Sequence, residues 1–169
     1  MTTEINTTEL FAALDECTSE ISKLIFREDE SALNIVPFTD SWTAAQLAVH
    51  VTKSNKAIAS ALTMSGEPAK RNADDGVQRL KDMFLNFEVK FNSPEFIKPE
   101  DRKYSKEEVV TNLNKSIAQL KALREKANLF EIISIPPFGE ITKLELLHFV
   151  VYHTQRHIHQ LKNILKSIN

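Results

Sequence analysis

The residues of this chain best suited to chemistry are its five histidines: His50, His148, His153, His157 and His159. His153 and His157 are four apart, so on a helix turning about 100° per residue they lie about 40° apart on one face. Leu146, Phe149, Val150 and Ile164 share that face, which therefore looks inward. His148 and His159 lie more than about 100° from His153 on the same wheel and belong on a flank or the surface. Neutral imidazole binds zinc, nickel, copper or iron well. Two imidazoles at i and i+4 can reach one ion, and a third from a facing helix would complete a triangle. Three protein ligands plus an open position is the pattern of catalytic zinc. An ion held this way lowers the pKa of bound water to about 7, polarises a carbonyl or activates a thiol. The H-x-x-x-H spacing alone more often means buried, hydrogen-bonded histidines or a helix interface. Thr154, Gln155 and Arg156 fill the interval, so the inner glutamate of the zinc proteases is missing.

Helices must position these side chains. The spacing of Leu10, Leu14, Cys17, Ile21, Leu24 and Ile25 predicts a first helix over Thr8–Arg27, capped by Thr7 or Thr8. Asp29–Asp40 reads as a connector broken by Pro37. Ser41 is the expected N-cap of a second helix, Trp42–Ser65, which carries His50 and ends before Gly66 and Pro68. Gln46, Leu47, Ser54, Ala57 and Ala61 lie along the side of His50, and the small ones leave room beside it. Glu67–Gly76 reads as a loop. A third helix is predicted over Val77–Phe91, with Leu80, Met83, Phe84, Phe87 and Phe91 as its apolar stripe. Ser105 and Glu108 form the capping box of a fourth, which runs to about Ala127 on a stripe of Val109, Leu113, Ile117, Leu120 and Leu123. The last helix runs from about Thr142 to Ser167. Ile132–Ile135 is a short extended piece with no obvious partner, and no sheet is expected. The reading is one all-α domain over residues 1–169, helix packed on helix.

Composition narrows the function. With 42% apolar and 26% charged residues over 169 positions, the chain can build a proper core and a soluble surface. A formal net charge of −2 provides no general basic field for nucleic acid or an anionic membrane. No apolar run approaches the roughly 20 residues of a membrane span. Met1–Leu10 lacks the basic-then-apolar order of a signal peptide. A lone cysteine, Cys17, cannot form an internal disulfide, which favours a reducing cytoplasm. With three glycines there is no phosphate-cradling loop.

Three segments resemble the DinB-like superfamily. They are Ser41-Trp42-Thr43-x-x-Gln46-Leu47-x-x-His50, then Pro137-Phe138-Gly139-Glu140-Ile141-Thr142, then His153-Thr154-Gln155-Arg156-His157-x-x-Gln160. The likeness spans nearly the whole chain and fades between about Gly66 and Tyr104. It implies a four-helix bundle, up-down-down-up, with a long crossover for which Asn92–Tyr104 is the candidate. It also implies a divalent metal, nickel or zinc foremost and iron or manganese next, on His50, His153 and His157, and a homodimer. Some members of that superfamily are thiol-dependent transferases or maleylpyruvate isomerases. The expectation is thus a metal-dependent enzyme acting on a small molecule, by transfer to a low-molecular-weight thiol or by metal-assisted hydrolysis. The alternative is a non-catalytic metal- or ligand-binding bundle.

Other residues have quieter readings. Trp42 is a packing anchor at a helix start. Arg156 could hold a substrate carboxylate or bridge to a neighbouring helix. Gln160 projects near His153 and could hydrogen-bond a ligand ring. Cys17 reads as a small buried hydrophobe. Glu107 and Glu108 suit a helix start. His148 and Glu145 are the nearest candidates for a fourth ligand.

Overall fold

The computed structural model describes residues 6–169. The part of the N-terminal stretch before residue 6 lies outside the described residues. Four long helices make the bundle: α1 (Thr8–Arg27), α3 (Ala44–Leu62), α5 (Lys106–Arg124) and α6 (Lys143–Ile168). Two short ones, α2 (Glu30–Leu33) and α4 (Val77–Phe84), lie in the connections. The predicted stripes of α1, α5 and α6 are largely buried. Leu10, Leu14, Cys17, Ile21 and Ile25 of α1 meet Leu113 and Leu120 of α5 and Leu146, Val150, Leu161 and Ile164 of α6 in one core. Each such leucine or isoleucine contributes roughly 1.5–3 kcal/mol by leaving water.

Cross-helix contacts fix the topology. Asp15 meets Arg124 while Ser22 meets Asn114, so α1 and α5 run antiparallel. Thr154 lies beside Cys17 and Lys162 pairs with Glu20, so α1 and α6 run parallel. His50 meets His157 while Lys143 donates to the Met64 carbonyl, so α3 and α6 run antiparallel. The order is therefore up-down-down-up, and α3 and α5 are parallel neighbours. Parallel neighbours need a long crossover. It extends well beyond Asn92–Tyr104: all of Thr63–Ser105 makes the return and carries α4, which packs on α6.

Several local expectations are corrected. α3 starts at Ala44, and its cap is Thr43, not Ser41: the Thr43 hydroxyl accepts from Gln46 N–H and the Gln46 side chain accepts from Thr43 N–H. A reciprocal pair satisfies two orphan amides at once. At α1, Thr7 makes no side-chain cap; the Asn6 side chain accepts from Thr8 N–H instead. Ser105 accepts from Glu108 N–H, but Glu108 turns to Arg102 and leaves the box half made. α4 stops at Phe84, so Phe87 and Phe91 lie beyond it in the connector and are half exposed.

A small antiparallel sheet also exists. Its order is β1 (Glu67–Pro68), β2 (Glu131–Ile135) and β3 (Gly139–Thr142). Ile133 pairs with Ile141, both buried against the bundle. A side chain at Gly66 would stand 2.7 Å from the Ile132 carbonyl, so the close approach of β1 to β2 needs glycine there. The sheet delivers the chain to Thr142, whose capping box with Glu145 starts α6 in register.

Candidate metal centre

α3 and α6 bring three buried histidines to one point. The Nε2 atoms of His50, His153 and His157 are 3.2, 3.0 and 3.1 Å apart pairwise. All three residues are at least 93% buried. His148 is half-buried away from the cluster, and His159 is exposed with its ring stacked 4.0 Å from Phe87. Among the described residues, no cysteine, aspartate or glutamate joins the three histidines in a ligand-sized group.

Proton placement decides what this cluster is. His50 Nδ1–H donates to the Ile97 carbonyl at 2.9 Å, and a carbonyl can only accept. His157 Nδ1–H donates to Gln160 Oε1 at 2.9 Å. Each neutral ring then carries its lone pair on Nε2, and the two lone pairs face one another. Neither ring has a proton to place between them, and a proton on His153 Nε2 has two acceptors within 3.2 Å but can fully satisfy only one. Protonating a ring is unfavourable too: burial holds all three below the ordinary histidine range, His157 down to about 3. Three nitrogens bound at about 2.0–2.1 Å to one tetrahedral ion would be about 3.3 Å apart. The observed spacing fits that set, and the cluster can hold a metal ion.

The backbone supplies a partner that no side-chain pattern reveals. Ile97 ends a single 3-10 turn, Glu95–Ile97, in the crossover, and it is the carbonyl that orients His50. Trp42 precedes α3 and lays its ring 4.9 Å from the ring of His50. Phe149 stacks on His153 at 4.9 Å, and Phe84 meets His153 edge-on at 6.2 Å.

One side of the cluster opens on a cavity of about 1750 Å³. Ser54, Ala57 and Ala61 line it, as their small size beside His50 predicts. Arg156 lines it as well, but three of its five N–H groups serve the protein: they donate to the carbonyls of Phe84, Asn86 and Val89. The guanidinium therefore ties the end of α4 and the following chain to α6, and no carboxylate on a neighbouring helix pairs with it. Gln160 bonds His157 rather than His153. Glu145 does not approach as a ligand. Its carboxylate takes both Arg71 Nη atoms at 2.6 and 2.8 Å and the amides of Gly76 and Thr142.

The model of the DinB superfamily matches residues 9–161. The chain belongs to that superfamily. Among solved structures, the crystal structure of TT2238, a four-helix bundle protein, is similar at 20% identity and a TM-score of 0.59. The match covers 93% of this chain and 98% of that one. At that identity the likeness speaks for the fold of this DinB superfamily member. No curated protein matches the sequence. No helix among the described residues is long and apolar enough to cross a membrane.

Proposed function

We propose that this chain is a metal-dependent enzyme acting on a small molecule, with one divalent ion, nickel or zinc, on His50, His153 and His157. The observation that carries this reading is the meeting of unprotonated Nε2 atoms at the wall of a large cavity. A divalent ion there would supply a Lewis acid strong enough to deprotonate a water or a thiol near neutral pH. The protein's own part is positional. The Ile97 carbonyl and Gln160 fix which nitrogen of each ring is free and which way it points. Trp42, Phe84 and Phe149 surround the rings with apolar surface and limit water.

A purely structural site would be closed by a fourth protein ligand. Glu145 is held by Arg71 and two amides, and Cys17 is buried in the core, so both are unsuited to that role. This favours the catalytic reading over a non-catalytic metal-binding bundle. The reaction we favour is transfer to a low-molecular-weight thiol, with hydrolysis second. Elemental analysis of tag-free protein tests the reading. About one equivalent of nickel or zinc, lost in the His153→Ala/His157→Ala variant, is expected. Absence of metal from both proteins after reconstitution would remove the basis for it.

A further inference from the structure

The walls of the cavity show what kind of molecule the site takes. This inference rests on the metal-dependent reading above. Three imidazoles are neutral ligands, so they leave the full charge of a divalent ion uncompensated. Among the described residues, no carboxylate or thiol shares the cluster with them. The charged side chain next to His157 on α6 is another cation, Arg156, which lines the cavity and keeps two N–H groups beyond its three carbonyl bonds.

The acids of the wall gather elsewhere. Glu145 is bonded to Arg71, and Asp75 and Glu140 bear on the same guanidinium. Glu145 lies eight residues before His153, about 12 Å along the helix. The other acid of the wall, Asp40, is exposed. With an ion bound the triad end would be electropositive, whereas the acids of the wall gather around Arg71.

The surface around the triad is aromatic. Trp42 faces His50, Phe149 stacks on His153, and Phe84 touches Phe91 at 5.5 Å and Phe149 at 5.0 Å. Such walls suit a flat apolar body, with a few polar groups to fix its direction. We propose that the cavity takes an aromatic anion, its negative group at the triad beside Arg156 and its ring against Trp42, Phe84 and Phe149.

Titration calorimetry of the zinc-loaded protein tests this with three probes: 3-phenylpropanoate, the neutral 3-phenylpropan-1-ol, and propanoate, which lacks the ring. Phenylpropanoate should bind at least about tenfold more tightly than either, the difference expected of a charge-assisted contact or a buried ring. It should also change the emission of Trp42, the single tryptophan. Arg156→Gln should reduce the preference for the acid over the alcohol, and Arg156→Lys should keep most of it. Equal binding of acid and alcohol by zinc-loaded protein, or binding of none at millimolar concentration, overturns the inference and leaves the metal reading intact. If the protein takes up no zinc, the metal reading falls and the inference with it.

Discussion

His50 and His157 meet through their Nε2 atoms at 3.0 Å, and each ring has directed its Nδ1 proton away from the other. One proton goes to the Ile97 carbonyl across the crossover; the other goes to Gln160 one turn along α6. Without a cation those two lone pairs compete for the one proton that His153 Nε2 can offer. An ion at the centre would satisfy all three nitrogens at once.

Stabilisation by metal follows directly. An ion present at 100 times its dissociation constant adds about 2.7 kcal/mol to stability. In a chain of this length that raises the Tm by about 5–10 °C. Zinc or nickel should produce such a shift in chelator-treated protein, and His50→Ala should abolish it. An equal shift in His50→Ala would place the ion somewhere else.

Gln160 should matter through the ring it orients, that of His157. Groups that orient ligand imidazoles are worth about 10–100-fold in metal affinity. Gln160→Ala should weaken zinc binding by that factor in a chelator competition, while Gln160→Glu, which still accepts from His157 Nδ1, should retain it. Wild-type affinity in Gln160→Ala would mean that packing alone orients His157.

Acid should destabilise the metal-free protein. Burial lowers the pKa of His50, His148, His153 and His157 below 6.5, and His157 to about 3. Below 6.5 the unfolded chain takes up protons that the folded chain refuses. The stability these neutral rings confer is thus complete above 6.5 and is lost as pH falls toward the folded pKa values. For His157, held at about 3, the slope within that window approaches about 1.4 kcal/mol per pH unit, and the other rings add to it with the same sign. Glu145, lowered from 4.5 by Arg71 and backbone amides against its own desolvation, adds the same sign below 4.5. Urea unfolding at pH 7.5, 6.0 and 5.0 measures the slope. A flat profile across that range would contradict the burial of these rings.

The sequence carried the triad unevenly. His153 and His157 were legible from spacing, because a 3.6-residue period forces i and i+4 onto one face. His50 was not: pairing α3 with α6 depends on the crossover, and only the family resemblance linked the two helices. The cap at Thr43 was open to view as a Thr-x-x-Gln box, but Ser41 before Trp42 offered an equally familiar signal. The sheet escaped because β1 is two residues long and includes Pro68, while β2 and β3 show little alternation. The spacing of Phe84, Phe87 and Phe91 imitated one helical stripe although α4 ends at the first of them. Backbone acceptors such as the Ile97 carbonyl have no sequence signature at all.

Arg156 holds the chain that follows α4 against α6. The carbonyls at the end of α4 lack partners within it, and a cation near a helix C-terminus is favourable. The guanidinium answers one of them, at Phe84, together with the Asn86 and Val89 carbonyls of the connector, and also lies 4.8 Å from the ring centre of Phe91. The stack of Phe87 on His159 adds a second tie between this segment and α6. A hydrogen bond to a charged group is worth about 1.5–3 kcal/mol, so Arg156→Ala should speed amide exchange over residues 85–91 by about tenfold or more. Exchange in α1 and α3 should stay unchanged, because their amides are protected by the bundle core. Arg156→Lys should restore part of the protection, since an ammonium lacks the planar fork that reaches three carbonyls. A uniform increase across all helices would show that Arg156 supports the whole bundle rather than this segment. No change would assign the tie to the packing of Phe84 on Phe149 instead.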